Sequence, residues 1–427
     1  MSKGATVLDS DLDGRNGVSL KGKPLTYQEF LSLARPIAGG AGPMAQQAPR
    51  QQGPAASAPT AQPQMVPFDQ ASHRGYEEGP IIVKTPGAAA QQEGPIPLPA
   101  QGFLRAVLLT ITPSGGNAEE GEVGGDFPWN CLNLVRLQDT NGAPLCELSG
   151  YNLFLMNVYG GFAGSPDPRN DPDFTKTTIL PSFALRIPIE IAPNGLGSLA
   201  NQSSSAAYKL TIIVAALSEI YKKSPKEAPK LTIKTFMEFW TLPAAQDMLG
   251  RAQQRTPPYH GTAQYFSQQM NNSLNVGQQG TKITDTGSLI RTLAFVTRKS
   301  GARTDAVYPD PWTLNWDSRL LQVASARLLR KLMREYVSQL AERDTGVFVW
   351  GFSYGKGRYF GDSAINSWLP TVSATRLELV GPSAEAGTVD IVANTVSVAE
   401  TNPAARAVET SATGYAPPVA PTMAGTQ

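Results

Sequence analysis

The chain has 427 residues, a formal net charge of +1, and 41% hydrophobic against 17% charged residues. Near neutrality excludes a nucleic-acid binder that works through a global basic field, and no apolar run reaches the ~18 residues that a membrane-crossing helix needs. Few charges, 40 glycines and 35 prolines favour short strands and turns, in two or three domains of roughly 150 residues each.

Residues 1–100 read as an N-terminal arm. Met1–Ala5 begins no apolar signal-like stretch, so assembly in a cytoplasm is expected. Thr26-Tyr27-Gln28-Glu29 is a capping box, in which the Thr and Glu side chains satisfy each other's backbone amides. Tyr27, Phe30, Leu31 and Ala34 follow at helical spacing and Pro36 stops the helix, so an amphipathic helix spans about 26–36. Its apolar face has to dock on its own domain, a neighbouring subunit or a membrane surface. Residues 38–66 are Ala, Gly, Gln and Pro with one charge, Arg50, and 84–101 read similarly; neither stretch offers enough apolar surface to offset its ordering entropy.

A first set of strands falls within 101–250: Phe103–Ile111, Cys131–Gln138, Phe183–Ile191, Tyr208–Ala215 and Leu231–Trp240. Asn141-Gly142 supplies the positive φ angles of a hairpin turn, and Pro188 suggests an edge or bulged strand. Residues 251–285 are assigned to an inter-domain connection. A second set follows in 286–400: Ser288–Val296, Asp305–Tyr308, Trp312–Trp316, Val347–Tyr354, Ala374–Val380 and Thr388–Val398. Between Ser318 and Glu342, Leu321, Ala324, Leu328, Leu332 and Tyr336 form an apolar helical stripe. Arg327, Arg330, Lys331 and Arg334 lie off it, as a solvated basic face or a contact for an acidic neighbour or polyanion. Tyr151–Tyr159 is a shorter helix candidate in the first half, and 401–427 is a low-complexity tail.

The two sets match in order. Gly102–Leu108 resembles Gly287–Leu293, each with an arginine inside an apolar run. Phe183–Ile191 and Val347–Tyr354 are each followed by a polar Gly-bearing loop, a Ser/Ala lead-in and another alternating strand. The offset suits a duplicated β domain and is too long for a solenoid repeat. Many short strands with long, variable connections favour a sandwich or jelly roll over a closed barrel.

Chemistry finds little purchase. The two cysteines, Cys131 and Cys146, flank the hairpin turn and read as buried hydrophobes, with a disulfide geometrically conceivable. With two histidines, His73 and His260, there is neither metal-ligand spacing nor a scaffolded catalytic base. Asp9, Asp11 and Asp13 start like a calcium loop, but Leu20 stands where a bidentate Glu belongs. Gly355–Gly361 has the wrong spacing for a phosphate cradle, and nothing brings Asp310, Asp317 and Asp362 together for hydrolysis. No cofactor is expected.

Two consecutive sandwiches, each interrupted by a helix, behind an N-terminal arm, resemble the double-jelly-roll major capsid proteins of tailless, membrane-containing bacteriophages (tectivirus-like coats). The resemblance covers about residues 100–400 and rests on architecture and duplication. It implies an all-β fold of two tandem jelly rolls with short helical insertions and no catalytic residues. It implies a homotrimer whose six jelly rolls make a pseudo-hexagonal capsomer of an icosahedral virion shell. The arm would then face neighbouring capsomers, penton or minor capsid proteins, or an internal membrane, without specific nucleic-acid recognition. Interface cores favour aromatic residues, so Tyr27, Phe30, Leu31, Tyr259, Tyr265, Phe266, Tyr359, Phe360 and Trp368 are candidate assembly contacts, with burial inside the same subunit the competing reading. The alternative function is a receptor- or carbohydrate-binding spike or vertex protein on the same fold.

Overall fold

A computed structural model places the strands of both halves. It describes residues 65–117, 121–159, 180–191, 197–257, 264–284, 287–317, 319–336, 344–352, 368–371 and 376–397, with a few isolated positions between them. These residues belong to the compact unit Pro63–Gln427. The helix expected over 26–36, the 401–427 tail and Asp9, Asp11 and Asp13 lie outside the described residues.

The first half comprises β1 (Arg74–Lys84), β2 (Gln91–Pro97), β3 (Phe103–Ser114), β4 (Leu132–Gln138), β5 (Pro144–Leu148), β6 (Phe183–Pro188), β7 (Lys209–Val214) and β8 (Lys230–Trp240), with helix α1 (Gly150–Tyr159) between β5 and β6. The second comprises β9 (Gln264–Leu274), β10 (Gly277–Ile283), β11 (Leu289–Lys299), β12 (Trp312–Trp316), β13 (Arg319–Ala324), β14 (Val347–Gly351), β15 (Leu377–Ser383) and β16 (Gly387–Ser397), with α2 (Ala326–Tyr336) between β13 and β14. The sheets of the first half run β1-β8-β3-β6 and β2-β7-β4-β5, and those of the second β9-β16-β11-β14 and β10-β15-β12-β13. Each strand of the first half thus has its counterpart eight strands later, neighbours included. Every pairing within a half is antiparallel. This is the jelly-roll order, two four-stranded sheets wound as Greek keys.

The halves share a finer mark. The register of β3 against β8 slips at Arg105, and that of β11 against β16 slips at Arg291. Each arginine therefore sits on a bulge of the same strand, which re-aims its side chain. The Arg105 guanidinium stands 4.8 Å from the Trp240 ring and that of Arg291 5.7 Å from the Trp368 ring.

Two apolar cores follow from the alternation. Val107, Leu109 and Ile111 of β3 point into the first with Leu137, Leu185, Ile212 and Ile233. There the Trp129 ring stacks on Phe154 at 4.2 Å and meets Phe183 edge-on. Leu293 and Phe295 of β11 point into the second, where Phe295, Tyr308, Trp312 and Phe348 pack ring against ring. The alternate residues Ala294, Val296, Val347, Val349 and Val392 face the other way and join the first core. The sheet carrying β11, β14 and β16 is buried on both faces, which explains their unbroken apolar runs.

Several expectations change. Residues 74–97, assigned to the arm, form β1 and β2, and 264–283, assigned to the connection, form β9 and β10. Three of these strands, β1, β2 and β10, are sheet edges, where Pro80 and Pro95 and a polar sequence are tolerated because one side needs no ladder partner. The helix expected from Ser318 begins only at Ala326: Ser325 caps it by accepting the Leu328 amide at 3.2 Å, and 319–324 form strand β13. Asp305–Tyr308 is a turn closed by the Tyr308 amide on the Asp305 carbonyl at 3.2 Å. The strand expected at 374–380 runs Leu377–Ser383. The Asn141-Gly142 turn is present, with φ of 91° at Gly142, and the Asp139 carboxylate accepts the amides of Asn141 and Ala143 at 2.9 and 2.7 Å. Cys131 and Cys146 are free thiols, both buried. Burial pushes the Cys146 thiol up to about 12 and that of Cys131 higher still.

Candidate assembly surface

The two jelly rolls meet edge to edge. β5 of the first runs parallel to β9 of the second, Cys146 opposite Ser267 and Glu147 opposite Gln268. This joins a sheet from each half into one continuous ten-stranded sheet. Just beyond, the Gln269 side-chain oxygen accepts the Ser149 amide at 2.7 Å and the Asn152 side-chain amide at 2.8 Å, clasping the start of α1.

Charged side chains close the joint. Asp126, on the loop before β4, takes Arg298 at 2.6 Å and Arg303 at 2.8 Å from the second half. Asp390 lies 3.4 Å from Arg298 on its other side. The Tyr151 hydroxyl donates to Asp344 at 2.8 Å and accepts from Arg303 at 2.5 Å, while its ring lies under both guanidiniums. Burial works against the Arg298 charge, but the Asp126 carboxylate overrides it and holds the guanidinium protonated. Burial, and then the Asp344 charge, hold the Tyr151 phenol well above its usual range. In such a network of partly buried, paired charges, losing one member strands another, which ties the halves to one mutual placement.

A second buried cluster lies in the first half. Arg105 pairs with Glu190, Arg186 with Glu238 at 2.5 Å, and the Trp240 indole donates to Glu190 at 2.9 Å.

Of the candidate contacts, Tyr27, Phe30, Leu31, Tyr259, Tyr359 and Phe360 lie outside the described residues. Tyr265 and Phe266 fall on β9. Trp368, at 4% exposure, follows the competing reading: it is buried within its own chain. Arg327, Arg330, Lys331 and Arg334 are all exposed along α2. They do not act alike, because Arg330 pairs with Asp305 at 2.9 Å and lies over the Phe348 ring. Sequence reasoning missed the joint: Asp126, Tyr151, Gln269, Arg298, Arg303 and Asp344 share no local pattern.

The carboxylates weighed for hydrolysis are not brought together. Asp310 accepts the Ala326 amide at the start of α2 at 3.0 Å, Asp317 accepts the Arg376 amide at 2.8 Å, and Asp362 lies outside the described residues. No helix among the described residues is long and apolar enough to cross a membrane.

Strand order, bulges and helix positions define a tandem pair of jelly rolls. Solved structures carry the same fold. The crystal structure of the STIV MCP matches with a TM-score of 0.54 at 12% identity, over 76% of this chain and 99% of that one. The atomic structure of Sulfolobus Turreted Icosahedral Virus matches at 0.50 and 11% identity, over 75% and 92%. The major capsid protein P2 from bacteriophage PM2 is a looser match, at 0.45 and 11% identity over 77% and 99%. The likeness is one of fold, and the chain is a double jelly roll. No family model matches the sequence, and no curated protein does.

Proposed function

We propose that this chain is a major capsid protein, a structural and non-enzymatic subunit that assembles as homotrimers into the shell of an icosahedral virion. The observation that carries the reading is the joint. Two equivalent jelly rolls stand side by side in a fixed head-to-tail contact, so three chains supply six similar units for a pseudo-hexagonal capsomer. Near-zero net charge suits a subunit packed many times against its own copies. The N-terminal arm, with Tyr27, Phe30 and Leu31, is assigned to contacts with neighbouring capsomers, penton or minor proteins, or an internal membrane. The protein then resides in the virion after assembly in the host cytoplasm. Quantitative protein staining of purified particles tests this: hundreds of copies per particle are expected, whereas a few dozen would make it a spike or vertex protein.

A further inference from the structure

In one respect the halves are unlike. The outer edge of β5 is covered by β9. Its counterpart β13 ends its sheet with no described strand beyond it. That edge is apolar: Leu320 is 63%, Leu321 40% and Val323 45% exposed, with Leu328 at 44% on the first turns of α2. The counterpart of the covering strand β9 is β1, itself a sheet edge, which exposes Tyr76 at 67%, Ile81 at 52% and Val83 at 46%. Among the described residues, each chain therefore uses one edge of each kind internally and leaves one of each without a partner strand.

We propose that β13 of one chain docks against β1 of a second copy, repeating between chains the joint that β5 and β9 make within one. The proposal rests on the capsomer reading and deepens it by naming the surface.

Equivalence sets the register. Tyr76 opposes Glu238, which pairs with Ala106 just after the Arg105 bulge; Ser267 opposes Asn394, which pairs with Thr292 just after the Arg291 bulge. Tyr76 thus stands where Ser267 stands, and Glu78 where Gln269 stands. Ser325 stands where Ser149 stands, since each hydroxyl accepts the amide three residues on, at 3.2 Å in both halves. Counting back along the strands sets Gln322 in the place of Cys146 and Val323 in that of Glu147. Tyr76 of one copy then falls opposite Gln322 of the next, and Glu77 opposite Val323. Glu78 falls at the start of α2, where Gln269 clasps α1 within the chain. A carboxylate suits that position: it meets the positive end of the helix dipole beside the exposed Arg327 and Lys331. The contact joins different patches on the two copies, so it propagates head to tail and closes into a ring when the rotation permits.

The test uses the purified full chain. In sedimentation velocity at one concentration, Leu320→Asp with Val323→Asp should lower the trimer fraction at least tenfold. Leu249→Asp, at an exposed turn outside both strands, should leave it unchanged. Should the double variant misfold, oxidation of a Tyr76→Cys, Gln322→Cys chain carries the test: covalent multimers up to three chains are expected, and none from either single variant. Trimers that survive the aspartates together with no cross-link would overturn the contact and leave the capsomer reading standing. Cross-linked dimers from Gln322→Cys alone would mean a symmetric contact and overturn it too. A wild-type chain that stays monomeric would remove the capsomer reading and the contact with it.

Discussion

Replacing Tyr151 by Phe tests the joint between the jelly rolls with the least steric change. The side chain is 3% exposed, and Phe keeps its ring under Arg303 at 4.8 Å and Arg298 at 5.8 Å. Only the hydroxyl is lost, and with it the bond donated to Asp344 at 2.8 Å and the one accepted from Arg303 at 2.5 Å. A hydrogen bond to a charged group contributes about 1.5–3 kcal/mol. Arg303 and Asp344 already stand 3.1 Å apart, so the two stranded groups can lean on each other and recover part of the loss. The expected cost is about 2 kcal/mol rather than the sum of two bonds, or roughly 3 °C in Tm for two halves that unfold together. Urea titration followed by tryptophan fluorescence should show a lower midpoint at unchanged slope. Because the network binds one half to the other, Arg303→Ala should go further and split the single unfolding transition into two. A Tyr151→Phe loss below about 0.5 kcal/mol, or an Arg303→Ala melt that stays single, would refute the view that this network locks the halves together.

Further outcomes follow from burial and charge. Cys131 and Cys146 should resist a thiol reagent in the folded chain and both react in denaturant; fast labelling of native protein would contradict their burial. Their folded pKa values exceed the ordinary thiol value, as those of Tyr221, pushed up to about 12 by burial, and Tyr308 exceed the ordinary phenol value. The unfolded chain therefore releases these protons first, and stability should fall as pH rises above about 8.5. A flat profile to pH 10.5 would contradict this. Arg105→Met leaves Glu190 buried without its charge partner and should cost about 3–5 kcal/mol in urea unfolding, whereas Arg105→Met with Glu190→Gln should recover much of that loss. Gly150→Ala would set a Cβ 2.2 Å from the Trp129 carbonyl oxygen and should cost at least ~1–3 kcal/mol; an unchanged midpoint would speak against the packing of α1 on the loop before β4.

The duplication was legible because its marks are local. An arginine inside an apolar run appears twice, and the apolar strands Phe183–Pro188 and Val347–Gly351 recur with similar successors. β1, β2, β9 and β10 escaped notice because a strand at a sheet edge, or one with a polar face, does not show strict alternation. Each set of strands therefore begins about one hairpin before the residues where the sequence starts to alternate, 101 and 286. The sequence does not separate β13 from the helix that follows it, because Leu320, Leu321 and Val323 satisfy either period over so short a run. The joint was invisible for a different reason. Tyr151 and Asp344 are 193 residues apart, and only tertiary structure pairs them. For Trp368 the sequence leaves burial and assembly contact both open, and it does not reveal that the bulge at Arg291 aims a guanidinium at that ring.

A density map of the assembled particle at side-chain resolution tests the central claim most directly. It should show β1–β8 superposing on β9–β16, with Arg105 and Arg291 on matching bulges and β5 running parallel to β9 through Cys146 and Ser267. Halves of different strand order, or a chain outside the shell lattice, would contradict it.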